Sequence, residues 1–333
     1  MTHQRGPAAR SRGAALLAAM LTVTLVATFA AAALWQQWRS VEVEIAERSR
    51  VQSAWVLTGA MDWARLILRE DARSGGADHL AEPWAVPLQE ARLSTFLAAQ
   101  DGAATVEDSS TDTQDAFLSG QIIDLQSQLN VMNLVESGKV SEPGLRSFAK
   151  LFELLGLPPA ELDRLAENLR FAADTSSDNR SGGLAPLLPQ RVEQLTWLGL
   201  SPHTVSVLLP YVTLLPATTP VNLNTASPEV ISASTPGLSL ADAQRLVVER
   251  DRSHFRSTAD AAKLLGLQDN SLGEGHHSVA SRFFEVRGRL RLDQTVVEER
   301  SVLQRDGLDV KVLWRERGVV DPAALAASTA PQR

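Results

Sequence analysis

The sequence contains no cysteine. Disulfides, thiol nucleophiles and thiolate metal sites are therefore excluded, and the core alone must hold the fold. The formal net charge is -7 over 333 residues, which argues against an extended basic face for nucleic acid. A phosphate-binding glycine loop, a dinucleotide fingerprint, His-Glu-x-x-His and Gly-x-Ser-x-Gly are also missing. These absences argue against the enzyme classes that use such motifs, and no residue is predicted to be catalytic.

Charge, glycine and proline are absent from residues 14–35. A helix of this length spans the ~30 Å hydrocarbon core of a bilayer. Arg5, Arg10 and Arg12 precede it, and this bias of basic residues places the N-terminus in the cytoplasm. The sequence therefore predicts a single-pass membrane protein with the rest of the chain exported.

A cleaved secretory signal is the alternative to an anchor, because Ala31, Ala32 and Ala33 form a small-residue cleavage site. Apolar residues at helical spacing continue across this site, which favours one helix from Ala14 to about Glu70. They are Leu34, Trp38, Val41, Ile45, Ala54, Leu57, Met61, Ala64 and Leu68. We therefore prefer the continuous helix to the cleaved signal.

The segment Arg12-Gly13-Ala14-Ala15-Leu16-Leu17 resembles the class III leader junction of type IV pilin-like proteins. In that family a prepilin peptidase cuts after the glycine and methylates the new N-terminus, which the resemblance assigns to Gly13 and Ala14. Most members carry Glu at the fifth mature position, which is Ala18 here. The missing Glu suits a tip subunit, because an unpaired carboxylate in the bilayer costs at least ~2.5 kcal/mol. The member with this departure and a large head is the type II secretion minor pseudopilin K.

Further short segments of the sequence are similar to the pseudopilin K pattern. Asp78, Glu82 and Trp84 follow the long helix, and we interpret them as a turn with an anchoring Trp. Residues 120–126 predict a strand, and paired Asn residues at 130 and 133 favour a structural turn over a site. In the phrase at residues 221–228, Asn222 and Asn224 are expected to shape a turn, and Thr225 or Ser227 to cap the helix that starts at Pro228.

Four similar glycine-containing turns recur within residues 142–275. They are Leu155-Gly156-Leu157-Pro158, Leu198-Gly199-Leu200-Ser201, Pro236-Gly237-Leu238-Ser239 and Leu265-Gly266-Leu267-Gln268. Each glycine is expected to end one helix in the left-handed conformation, and a Ser or Pro to open the next. The pattern predicts a compact domain of helical hairpins.

The phrase at residues 236–243 is also close to a helix-hairpin-helix, whose glycine turn can bind DNA phosphate. This leaves a second hypothesis, a periplasmic or membrane-anchored DNA-binding protein that uses Arg245 and Arg250. We favour helix packing, because clustered Lys or Arg residues do not flank these turns.

Calcium is the one metal that the sequence suggests. Members of the resembled family often carry a calcium-binding acidic stretch after the first helical pair, and here that region holds only Asp174 and Asp178. These two are weak candidates, because calcium usually takes six to eight oxygens. The acidic segment at residues 100–115 is expected to be a mobile loop. His276 and His277 are assigned to a surface loop, and His79 is not expected to be catalytic.

From Val279 the apolar period changes to two. Strands are predicted around 284–292, 296–303 and 310–314, with Asp306 and Gly307 as a hairpin turn. They should form an antiparallel sheet against the helix, burying its stripe of Trp55, Met61 and Leu68.

The predicted fold is α+β, with a long N-terminal transmembrane helix packed on a small antiparallel sheet and a large inserted all-helical domain. The predicted boundaries are residues 1–13 for the leader, 14–73 for the helix, 74–134 for the first part of the head, 135–275 for the insert, 276–318 for the C-terminal strands and 319–333 for a disordered tail.

The resemblance implies a non-enzymatic minor pseudopilin that initiates or caps the type II secretion pseudopilus. Its head would be periplasmic and its anchor would lie in the bacterial inner membrane. The implied partners are the I and J minor pseudopilins, the major pseudopilin, the inner-membrane secretion platform and the prepilin peptidase. Nucleic acid is not an expected partner.

Overall fold

The computed structural model describes residues 12–93, 116–174, 185–266, 272–273, 275–292 and 295–320. The expected loop at 100–115, Asp178 and the expected tail beyond residue 320 lie outside this part of the chain. The molecule divides into two compact units, one ending at Val56 and one beginning at Leu57.

Helix α1 is a single helix of 63 residues, Arg12–Ser74. This confirms the prediction of one helix that continues past the alanine-rich site. The side chains of residues 14–48 are all exposed. Trp55 is 74% exposed, so its assignment to the buried stripe was wrong. Met61 and Leu68 are buried as predicted, at 3% and 0% exposure.

A five-stranded antiparallel sheet forms the centre of the second unit. Its strands are β1 (Leu88–Arg92), β2 (Ala116–Asp124), β9 (Phe283–Leu292), β10 (Thr295–Asp306) and β11 (Asp309–Val320). The spatial order is β1-β2-β9-β10-β11. The three C-terminal strands were predicted, but the sheet also contains β2 and the unpredicted β1.

The sheet differs from the prediction in two details of its C-terminal part. The turn between β10 and β11 consists of Gly307 and Leu308, since Asp306 still pairs with Asp309. Gly307 has a φ of +58°, which is why glycine is favoured there. Strand β11 continues to Val320, two residues into the predicted tail.

One face of the sheet packs against α1. Met61, Ala64 and Leu68 contact apolar side chains of the sheet and the buried Trp84. The sheet side chains in this cluster are Phe284, Val286, Leu303 and Val310. We call α1 from Leu57 onward, together with the sheet, the head.

Most of the remaining chain forms a helical domain, which we call the insert. Its helices are α2 (Glu142–Leu155), α3 (Pro159–Ala173), α4 (Pro202–Leu208), α5 (Pro228–Ser234), α6 (Leu240–Arg252) and α7 (Thr258–Leu264). A 3-10 helix spans Val192–Leu198. Three two-residue ladders accompany them: β3 (Leu129–Asn130) with β6 (Val212–Thr213), β4 (Val135–Glu136) with β5 (Lys139–Val140), and β7 (Val221–Asn222) with β8 (His277–Ser278).

Local signals end and open the helices as predicted. The glycines of the four predicted turns, at positions 156, 199, 237 and 266, all have left-handed backbone, with φ between +66° and +98°. After three of them a new helix begins, at caps formed by Pro158, Ser201 and Ser239. Ser227 caps α5 by accepting a hydrogen bond from the Val230 amide.

The core that the insert helices share also includes residues before position 135. Leu129, Val131 and Leu134 are buried in this core, and β8 at the far end of the insert pairs with β7. The Asn-containing turn therefore packs inward, and the boundaries of 135–275 for the insert stay a prediction. Gly144 in α2 marks a close approach, since a Cβ there would lie 2.0 Å from the Asn133 carbonyl oxygen.

Candidate functional site

The apolar segment at the start of α1 has the properties of a membrane span. An 18-residue window has a mean hydropathy of 2.2, and none of it is buried. Its polar side chains are satisfied within the helix, because the hydroxyls of Thr22, Thr24 and Thr28 donate to backbone carbonyls three or four residues earlier. Internally satisfied polar groups are what a hydrocarbon environment requires.

The predicted processing residues lie at the beginning of this helix. Gly13 and Ala14 belong to its first turn. The backbone carbonyl of Ala18 accepts a hydrogen bond of 3.1 Å from Thr22 Oγ1. Cleavage after Gly13 and methylation of Ala14 stay predictions.

The second notable feature is a buried polar cluster where the head meets the insert; we call it the junction. It consists of Asp71, Asp78, Asp124, Asn222, Thr225, Ser281 and Arg305. Arg305 Nη1 bonds Asp71, and its Nη2 lies 2.6 and 2.7 Å from the two Asp78 carboxylate oxygens. One guanidinium therefore neutralises carboxylates from α1 and from the loop that follows it.

Asp124, at the end of β2, joins the head to the insert. Its Oδ2 accepts hydrogen bonds from Asn222 at 3.0 Å, Thr225 at 2.6 Å and Ser281 at 2.7 Å. Its Oδ1 accepts from the Gln126 amide. Thr225 thus belongs to the junction, and Ser227 alone is the helix cap. Asn222 also accepts from the Asn224 amide, as the predicted turn requires.

Burial sets the charge state of these carboxyls. It raises the pKa of Asp124 to about 6, against the lowering effect of the hydrogen bonds from Ser281 and Thr225. Burial also raises the pKa of Asp78 and Asp71, and Arg305 opposes the rise at both. Burial and the surrounding hydrogen-bond donors therefore act in opposite directions on the ionisation of these carboxyl groups.

Two histidines also connect the head and the insert. The rings of His79 and His254 stack with centroids 3.8 Å apart. Burial lowers the pKa of His254, and the neighbouring His79 adds to this effect. The backbone amide of His79 and the Trp84 indole both donate to Glu82. Trp84 is 1% exposed, which agrees with the predicted anchoring role.

His277 was assigned to a surface loop, and this was wrong. It lies in β8 at 2% exposure, while His276 beside it is exposed. Its Nε2 lies 3.0 Å from Thr235 Oγ1 and 3.1 Å from Ser234 Oγ. Burial lowers the pKa of His277 to about 4, so the ring is neutral and structural.

The two arginines of the DNA-binding alternative, Arg245 and Arg250, bond other residues of the insert. Arg250 is buried, and its Nη1 donates to the carbonyls of Leu223 and Ala226. Arg245 is exposed and pairs with Asp242. A buried Arg250 cannot contact phosphate, so this residue does not support the alternative.

Of the two calcium candidates, the structure describes Asp174, and Asp178 lies outside the described residues. Asp174 is exposed at the C-terminal end of α3. Among the described residues, acids within reach of one cation are Asp71, Asp78 and Glu82. Arg305 already bonds two of these three, so a calcium ion does not fit there. Calcium binding at Asp174 and Asp178 stays a prediction.

The comparisons with known proteins agree with this architecture. Family models described as type II secretion system protein K match residues 127–217 and 221–280. The type II secretion system protein K of Pseudomonas aeruginosa is 28% identical over 92% of both chains. That of Klebsiella pneumoniae is 28% identical over 93% of this chain and 97% of its own.

A solved structure shares the fold. It is a chain of the crystal structure of the GspK-GspI-GspJ complex from the type 2 secretion system of enterotoxigenic Escherichia coli. The TM-score is 0.63 at 18% sequence identity, over 82% of this chain and 98% of that chain. This confirms the predicted α+β fold. Two family models that match adjoining parts of the insert, and relatives matched along nearly their full length, lead to one conclusion: the chain is similar to type II secretion system protein K.

Proposed function

We propose that this protein is the tip subunit of a type II secretion pseudopilus, where it initiates or caps the filament. Similarity to type II secretion system protein K supports a minor pseudopilin role in type II secretion. The protein K family is one of secretion pseudopilins and not a known enzyme family. The head would lie in the periplasm, and α1 would anchor it in the inner membrane with the N-terminus in the cytoplasm.

The observation that carries the proposal is the uncharged start of α1. Ala18 stands where most pilin-like proteins have Glu, and the hydroxyls that follow are satisfied internally. A subunit without a predecessor gains nothing from a carboxylate that neutralises a preceding amine. An uncharged anchor is therefore the form that a first subunit needs.

The proposed partners are the I and J minor pseudopilins. The similar E. coli chain comes from a complex of GspK with GspI and GspJ, and the shared fold supports an equivalent assembly here. The major pseudopilin, the secretion platform and the prepilin peptidase complete the proposed set.

Mass spectrometry of the native N-terminus tests the processing step. A methylated Ala14 supports the proposal. A mature chain that starts at Ala33 or Leu34 would contradict it, because the anchor would have been removed.

The Ala18→Glu variant tests the tip role itself. A carboxylate in the bilayer without a partner amine costs at least ~2.5 kcal/mol, so secretion into the medium should fall at least tenfold. Ala18→Gln is the matched control, since it adds similar bulk without charge and should secrete more than Ala18→Glu. Equal secretion by wild type and Ala18→Glu would refute the tip assignment.

A further inference from the structure

Two histidine rings form a contact between the head and the insert that is separate from the junction. His79 lies in the loop that follows α1, and His254 lies in the loop between α6 and α7. The rings stack face to face, with their centroids 3.8 Å apart and an angle of 10° between their planes. We call these two residues the histidine pair. It joins two loops that belong to different parts of the fold.

The turn around His79 requires a neutral ring. The Nδ1 atom of His79 accepts a hydrogen bond of 3.3 Å from the Ala81 backbone amide. The Glu82 amide closes the same turn by donating to the His79 carbonyl. A protonated imidazole donates at both ring nitrogens and cannot accept. Protonation of His79 therefore removes one of the hydrogen bonds that hold this turn.

The stack requires that at most one of the two rings is charged. Two protonated rings would place like charges about 4 Å apart, a distance at which repulsion changes an equilibrium constant about fivefold even in water. Burial and the neighbouring His79 lower the pKa of His254, which is the same preference for the neutral ring. Both rings are partly exposed, so protons from the solvent can reach them.

One charged group from each side acts on His254 in addition to burial and the second ring. Arg256 on the insert side lowers the pKa of His254, and Glu82 on the head side raises it. The net direction is downward. Burial and the second ring therefore decide the charge state of the pair, and the two side-chain charges oppose each other.

Further charges of the head lie next to Glu82. The carboxylates of Asp71 and Asp78 are within 4.8 Å of the Glu82 carboxylate. Arg305 bonds both of these aspartates. The bonds of Arg305 do not involve a histidine, so the junction stays formed when the histidine pair separates.

We propose that the histidine pair is a proton-sensitive contact between the head and the insert, closed at neutral pH and open in acid. In the closed form both rings are neutral, and His79 accepts from Ala81. In acid both rings take up a proton from the solvent, the Ala81 bond is lost and the rings repel each other. The loop that follows α1 then separates from the loop between α6 and α7, while the junction keeps the rest of the boundary together.

This contact is independent of the tip role. It depends on residues of the head and the insert, whereas the tip role depends on the uncharged start of α1. A failed test of Ala18 or of N-terminal processing would leave the pH response of the pair as it is, and a missing pH response would leave the tip role as it is.

Hydrogen–deuterium exchange of the full-length chain in detergent micelles tests the proposal. The two conditions are about pH 7.5 and about pH 5, on either side of the ordinary histidine pKa near 6.5, with rates corrected for the intrinsic pH dependence of exchange. Protection of the amides at residues 79–82 should fall about fivefold in acid. Protection of β9 and β10, whose ladder contains no histidine, is the internal reference. The same protection of residues 79–82 at both pH values would overturn the proposal.

Two substitutions assign the pH response to the two rings. His254→Phe keeps a flat ring that cannot be charged, so the fall in protection of residues 79–82 should be at most half of that in wild type. His79→Gln removes the titrating ring from the turn and should abolish the fall. A wild-type fall in either variant would show that the stack does not sense protons.

His203→Gln is the matched control. His203 is an exposed histidine near the start of α4, outside the pair, so this variant should keep the wild-type fall. A change as large as that in His254→Phe would assign the response to histidine content in general and refute the proposal.

Titration of His254 by NMR gives a second readout. In His79→Gln the neighbouring ring and its charge are gone, so the pKa of His254 should rise relative to wild type. An unchanged pKa of His254 would show that the two rings are not coupled, which also refutes the proposal.

Discussion

The head and the insert reach stability by different routes. Each described helix of the insert is delimited by residues a few positions away, such as Gly156 after α2 and Ser239 before α6. The head depends on partners far apart in the chain, since β2 pairs with β9 and Asp78 pairs with Arg305. The insert is thus specified by local signals and the head by long-range contacts.

This difference has a consequence for the sensitivity of the two regions. A lost cap affects one helix and leaves the others in place, because each has its own. A lost junction residue leaves buried charges from several segments without partners at once, and these cannot be solvated. We therefore expect junction substitutions to be several times more costly than cap substitutions.

The largest expected effect comes from Arg305→Met. Asp71 and Asp78 would remain buried without a cation, which should lower the free energy of unfolding by about 3–5 kcal/mol. Urea denaturation of the purified chain, followed by tryptophan fluorescence, measures the loss. Arg282→Met is the control, because Arg282 pairs with Asp306 at the surface and should cost less than about 1 kcal/mol. Similar losses in the two variants would contradict a special role for the junction.

The next effect is a pH dependence that separates the junction from the insert. The pKa of Asp124 is raised from 3.8 to about 6. Between pH 4 and 6 the folded state therefore holds a proton that the unfolded state has released, so stability falls as the pH rises through this range. The pKa of His277 is lowered to about 4 from 6.5, so its protonation lowers stability as pH falls from 6.5 to 4. Each shift corresponds to about 3 kcal/mol.

Two single substitutions separate the opposed effects of Asp124 and His277 on the pH dependence of stability. Asp124→Asn should lose more stability than wild type on acidification from pH 6.5 to 4, because the His277 effect remains alone. His277→Gln keeps a polar side chain near Ser234 and Thr235. This variant should lose less stability than wild type over the same pH range. Urea midpoints at several pH values measure both slopes. Parallel slopes in the two variants would show that neither group titrates as described.

The smallest effect is expected from Gly156→Ala in the insert. Its φ of +66° is unfavourable for alanine, but no atom lies within 4 Å of the added Cβ. The loss should therefore be about 1 kcal/mol, with the sheet unaffected. Gly59→Ala is a matched control in the exposed, helical part of α1, and should stabilise by about 0.5–1 kcal/mol. A loss in Gly156→Ala as large as that in Arg305→Met would remove the distinction between local and long-range control.

The accuracy of prediction from sequence follows the same division. The glycine turns, the Ser227 and Ser239 caps and the length of α1 were predicted, because each depends on chemistry within a few residues. His277 was misplaced, because an exposed loop and a buried two-residue ladder look alike in sequence. Trp55 was misplaced, because helical spacing alone does not show where the buried stripe of α1 begins.

The sequence by itself determined the uncharged span of residues 14–35, the ends of the insert helices and the positions of the C-terminal strands, since periodicity and capping act over one or two helical turns. Only the tertiary structure decided that Arg305 serves Asp71 and Asp78, that Asp124 binds the insert to the head, and that the rings of His79 and His254 stack. These pairings join residues up to 234 positions apart, and no local pattern encodes which distant side chain fills a buried space.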